Sequence, residues 1–189
     1  ELLLKIKLKD WAQAFTEDIQ KVDPSHQKLI CEHLGRWANI QFARKRDQLI
    51  ASRIRLAKFK RIQTVDGFDF NYNEFTKKIQ KNYLSLLYSI SPDSLPSAVF
   101  VGTSGLGKTR LARALGYASC QKGLSAFFIT AAEMVNRLAQ AMKTLTLDQE
   151  LQKYRRPQVL IIDELGYVTM DQQASNLFFQ VISARHDQG

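Results

Sequence analysis

The chain has 189 residues, 45% of them hydrophobic and 24% charged, the balance of a folded domain with one full-sized core rather than of a disordered chain. Its apolar runs, such as 126–129 and 159–162, fall far short of the roughly 20 residues that cross a bilayer, and Cys31 and Cys120 lie apart with no zinc-type or disulfide-framework spacing. The formal charge of +9 is concentrated between Arg36 and Arg61, where nine basic residues stand against one acid, Asp47, the pattern of a polyanion-binding surface.

The N-terminal Leu2–Leu4 run is broken by Lys5, Lys7 and Lys9 and does not read as a signal peptide, which fits a cytoplasmic protein. Residues 1 to about 60 read as helical. Asp23-Pro24-Ser25 is a helix start, because a short polar side chain can cap free N–H groups and proline suits the first turn. After it, Ile30, Leu34, Trp37 and Ala38 recur at helical steps, and a second stripe runs through Leu49, Ile50, Ile54 and Ala57. On that spacing Trp37 and Phe42 are expected in the core. The segment 64–73 (TVDGFDFNYN) is a break, and 74–88 is a further helix ended by the turn-rich 91–97. These signals divide the chain into a basic helical module over 1–63, a linker and lead-in helix over 64–96, and a core over 97–189.

From Ser97 onward strands and helices alternate, which predicts an α/β core with a parallel sheet flanked by helices. Residues 98–101 (AVFV) form the first expected strand, and 106–121 the helix after it, closed by Gly123. Further strands are expected over 125–130 and 159–162, and further helices over 131–142, 147–155 and 171–186.

Between the first strand and its helix lies Gly102-Thr103-Ser104-Gly105-Leu106-Gly107-Lys108-Thr109, a full match to G-x-x-x-x-G-K-[ST]. The glycines allow consecutive N–H groups to converge on phosphate oxygens, and the following helix directs its positive end to the same point. Lys108 is then the bridge to the β- and γ-phosphates of ATP, and the Thr109 hydroxyl a ligand for Mg2+. About 55 residues on, the strand 159–162 delivers Asp163 and Glu164 at its C-terminal end, the edge at which open parallel sheets bind ligands. Asp163 is the candidate second magnesium ligand. Glu164 is the candidate base for the water that attacks the γ-phosphate. A P-loop ATPase with its base directly after the magnesium ligand is the resulting expectation.

Three segments carry a more specific likeness. Val159–Gly166 (VLIIDELG) running on to Tyr167, Phe128–Glu133 (FITAAE) and Ala57–Phe70 (AKFKRIQTVDGFDF) together resemble IstB-like transposition helper ATPases, with DnaC-type helicase loaders as near relatives. The resemblance implies an AAA+ fold, ATP at Gly102–Thr109, magnesium near Thr109 and Asp163, and Glu164 as hydrolytic base. It further implies homo-oligomers that assemble on double-stranded DNA and assist a transposase. In that fold the strand bearing the polar sensor residue lies between the one before the phosphate loop and the one bearing Asp163. Neither that strand nor an arginine finger occurs within 1–189, which reads as a fragment.

For DNA the candidate contacts are Arg44, Lys45, Arg46, Arg53, Arg55, Lys58, Lys60 and Arg61, which would meet the phosphate backbone rather than read bases. Phe70 and Tyr72 are candidates for an adenine pocket. His26, His33 and His186 form no cluster. Two other readings stand beside the transposition helper: a helicase loader whose N-terminal module docks on protein, and a nucleotide-binding module that does not hydrolyse.

Overall fold

The computed structural model describes residues 9–167 and 171–186, so the first eight residues of the expected helical segment lie outside the described ones. The chain divides into two compact units, Glu1–Ala51 and Ser52–Gly189. The division falls earlier than composition alone suggests, because residues just after Ala51 pack into the second unit's core. Ala57 is fully buried beside Cys120 and Ala126, with Ile54 and Phe59 against them.

In the first unit, α1 (Lys9–Ile19) turns into α2 (Pro24–Leu56), a helix of 33 residues whose last turn belongs to the second unit. The start at Asp23 forms as the sequence predicts. Asp23 Oδ1 accepts the Ser25 N–H at 2.9 Å, and the Ser25 hydroxyl donates to the same carboxylate, which holds the Asp23 carboxyl below its usual range. The expected apolar core does not form here. Ala38 is the buried residue of α2, while Trp37 is 58% and Phe42 37% exposed. The reason is geometric: apolar residues lie all around this helix, and one short helix cannot cover every face of a long one.

Besides the small cluster around Ala57, Cys120 and Ala126, the described residues of the second unit form two larger apolar centres. The first gathers around α3 (Glu74–Ser89) and α4 (Lys108–Gln121), with Phe70, Tyr83, Leu87, Leu111 and Leu115 buried. Asn73 starts α3 with a reciprocal cap: its Oδ1 accepts the Thr76 N–H at 2.8 Å, and Thr76 Oγ1 accepts the Asn73 N–H at 3.2 Å. The Tyr83 hydroxyl, its pKa pushed up to about 12 by burial, donates to the Leu111 carbonyl at 3.0 Å and ties α3 to α4. Lys122 closes the far end by donating to the carbonyls of Leu87 (2.7 Å) and Ile90 (2.8 Å).

The second centre lies between β1 (Ala126–Thr130), β2 (Val159–Asp163), α5 (Ala131–Lys143), α6 (Leu147–Arg155) and α7 (Gln172–His186), where Ile129, Met134, Leu138, Tyr154 and Val181 are buried. The two strands pair in parallel, Ala126 opposite Val159 and Thr130 opposite Asp163. This register puts the ends of both strands, and therefore Asp163, at one edge. Arg185 locks α7 to the end of α6, donating to the carbonyls of Tyr154 (2.9 Å), Pro157 (2.7 Å) and Gln158 (2.9 Å).

The α/β P-loop fold stands, but residues 98–101 form no strand among the described residues. Val99 and Val101 are 82% and 77% exposed. A strand is held by its ladder, and no described segment pairs with this one. An apolar cavity of about 440 Å³, lined by Phe75, Tyr83, Val99 and Leu106 among others, opens beside it.

Gly116 lets α4 approach β2. A Cβ there would stand 2.5 Å from Ile161 Cδ1 and 2.8 Å from Phe59 Cζ. Gly116→Val is expected to destabilise the second unit by about 1–3 kcal/mol through overpacking, read as a lower thermal midpoint.

Candidate functional site

The loop 102–107 lies between residues 98–101 and the first turn of α4. Gly105 and Gly107 have φ of 86° and 78°, a left-handed backbone that glycine adopts without strain. Gly107 is the N-cap of α4 and has no side chain to satisfy the first N–H groups, so these remain available to an anion. Lys108 folds back over the loop and donates to the carbonyls of Gly102 and Thr103, each at 2.7 Å.

Thr109 and Asp163 meet across 54 residues of sequence: Thr109 Oγ1 donates to Asp163 Oδ1 at 3.0 Å. The same carboxylate oxygen accepts the Glu164 N–H at 3.0 Å. Glu164 itself has φ 60°, one of three non-glycine residues with positive φ among those described. Glu164 is exposed. A hydroxyl and a carboxylate oxygen in contact suit a hard cation such as Mg2+, which takes one or two protein oxygens and completes its shell from phosphates and water. No cluster of three or more His, Cys, Asp or Glu that could hold a metal ion occurs among the described residues.

Residues 2–189 match the family described as IstB-like ATP binding protein. The chain belongs to that family. Among its relatives, the ATP-binding protein of insertion sequence IS232 from Bacillus thuringiensis subsp. berliner is 31% identical over 183 residues, 96% of this chain and 72% of the relative. That of insertion sequence IS5376 from Geobacillus stearothermophilus is 32% identical over 163 residues, 86% of this chain and 64% of the relative. The chromosomal replication initiator protein DnaA of Campylobacter jejuni is 26% identical over 151 residues, 77% of this chain and 34% of DnaA. The chain thus spans between 64% and 72% of these two insertion-sequence relatives.

In this IstB-like chain the basic window is split between the units. Arg44, Lys45 and Arg46 are exposed on α2 in the first; Arg55, Lys58, Lys60 and Arg61 are exposed in the second. Arg53 turns inward: its Nη1 is buried with no hydrogen-bond partner among the described residues, 3.5 Å from where a Cβ on Gly123 would lie. Lys58 sets its ammonium 5.3 Å from the centre of the Phe127 ring. Phe70 is buried in the first apolar centre and Tyr72 is 75% exposed.

Two rings approach glycines of the loop, Phe68 and Phe75. A Cβ on Gly107 would come within 2.5 Å of Phe68 Cε2, and one on Gly102 within 3.6 Å of Phe75. Arg110 joins them, with its guanidinium 5.8 Å from the centre of the Phe68 ring and Nη2 donating to the Gly67 carbonyl. Phe68 lies in the 57–70 segment that carries the family resemblance, but nothing local in the sequence marks it, Phe75 or Arg110 as a neighbour of the loop. Only folding brings Gly67 to Arg110, 43 residues apart.

No helix among the described residues is long and apolar enough to cross a membrane.

Proposed function

We propose that this IstB-like protein is an AAA+ ATPase that binds ATP with Mg2+ at Gly102–Thr109, Asp163 and Glu164, associates with double-stranded DNA and assists a transposase. The observation that carries the reading is the contact of Thr109 with Asp163 at the edge of the sheet, with Glu164 alongside. In the mechanism this supports, the loop N–H groups and Lys108 hold the phosphates, Lys108 giving up its two carbonyl partners to reach the β- and γ-phosphate oxygens. Thr109 and Asp163 would hold the magnesium ion, which supplies charge neutralisation at the phosphates. Glu164 accepts a proton from the water that attacks the γ-phosphorus, and ADP leaves with the β-phosphate oxygen bearing the released charge.

The relatives named for insertion sequences support the transposase partner. Exposed Arg44, Lys45, Arg46, Arg55, Lys58, Lys60 and Arg61 support contact with the DNA backbone, with Arg53 as a weaker contributor because its Nη1 is buried. Homo-oligomers on DNA and a cytoplasmic site of action complete the proposal by family resemblance.

The test is binding to random-sequence duplex DNA with ATP, with ADP and with Lys108→Ala, at two salt concentrations. ATP is expected to strengthen binding that weakens as salt rises, and the variant to lose the gain. The similarity to DnaA favours a second reading, a helicase loader in replication. Absence of DNA binding at low salt would select it.

A further inference from the structure

The segment that leads into the ATPase core is fastened at two points. At its start the Ala57 carbonyl accepts the Phe128 N–H of β1 at 2.9 Å, and Ala57 is fully buried. Phe59 follows, its ring centre 6.4 Å from that of Phe128 and its edge over Gly116. At its end Phe68 sits against Gly107 of the phosphate loop, and Arg110, the residue after Thr109, holds Gly67 and Phe68 together. Between the two fastenings lie exposed Lys60, Arg61 and Ile62.

The two fastenings differ in kind. The first is a sheet-edge hydrogen bond covered by apolar side chains. The second rests on one guanidinium whose Nε is buried without a hydrogen-bond partner among the described residues. Gly107 leaves no side chain between Phe68 and the loop backbone, so any rearrangement of Gly107 on phosphate binding meets that ring directly. With the Ala57 end held, a displacement of Gly67–Phe68 is taken up in 60–66.

From this geometry we propose that Phe68 and Arg110 form a latch through which nucleotide at the phosphate loop sets the exposure of Lys60 and Arg61. The latch links two functions that the sequence keeps apart, phosphate binding at 102–109 and the basic residues of 55–61. It rests on the nucleotide site argued above, with Arg110 and Phe68 acting as positioning residues rather than in the chemistry.

The experiment is limited trypsin digestion of the full chain, with the rates of cleavage after Lys60 and Arg61 followed by mass spectrometry. Each protein is digested alone and with a saturating non-hydrolysable ATP analogue, saturation being set by titration of a fluorescent analogue. Nucleotide is expected to change the two cleavage rates by about threefold or more in the unaltered protein, as a local opening equilibrium shifts. In Arg110→Gln and Phe68→Leu the rates are expected to be the same with and without nucleotide, although both variants are saturated. Cleavage after Lys143, remote from the latch in sequence, serves as the internal reference for a general loosening. Unaltered protein that binds the analogue without a change at Lys60 and Arg61 overturns the latch alone, as does Arg110→Gln that keeps the change. Protein that binds no nucleotide overturns the nucleotide site and the latch with it.

Discussion

Lys108→Ala is expected to lower ATP turnover by about 10²–10³-fold or more, the usual cost of removing a preorganised donor to transition-state charge. The ammonium donates to the Gly102 and Thr103 carbonyls at 2.7 Å each and would exchange them for phosphate oxygens when nucleotide binds. Alanine removes the only cationic group among the eight loop residues, 102–109. The two carbonyls it vacates belong to exposed residues and return to water, so the fold loses little. The expected signature is therefore a collapse of phosphate release and of analogue binding with a thermal midpoint close to that of the unaltered protein. A variant that hydrolyses ATP at the original rate would remove the loop from the mechanism.

Glu164→Gln is expected to separate binding from hydrolysis. The amide keeps the length of the side chain but cannot take the proton of the attacking water, which costs about 10²–10⁴-fold in turnover. Thr109, Asp163 and Lys108 remain in place, so ATP binding stays within a few-fold and the ATP-bound state accumulates. Glu164→Gly makes a sharper comparison. At φ 60° a non-glycine residue is strained, and glycine is expected to raise stability by up to about 1 kcal/mol while abolishing turnover. Phosphate release and thermal midpoint measured side by side distinguish a base held in a strained backbone from an ordinary surface glutamate, whose replacement would move neither.

Much of the site is legible in the sequence because its parts are local. Gly107, Lys108 and Thr109 must adjoin one another for a loop to hand phosphates to a helix N-terminus, and an apolar run ending in Asp163-Glu164 is a strand delivering acids to a sheet edge. The start at Asp23-Pro24-Ser25 is local in the same way, one side chain bonding to a backbone N–H two residues on. Where the outcome depends on partners distant in the chain, local reading falls short. Residues 98–101 have strand composition, yet composition cannot supply the neighbouring ladder. Trp37 and Phe42 have core-like spacing, yet spacing does not say whether another element covers that face. Arg53 and Arg61 look alike in a basic window; packing turns one inward and leaves the other exposed.

By itself the sequence determined the class of this protein: a phosphate loop, an acidic strand end and a local basic surplus, all set by short-range chemistry that survives any arrangement of the rest. The tertiary structure decided which hydroxyl meets which carboxylate, which arginine is available and which ring lies on the loop. Those choices arise from contacts between residues far apart in the chain, such as Thr109 with Asp163 and Arg110 with Gly67. They exist only once burial of apolar surface has brought α4, β2 and the lead-in segment together.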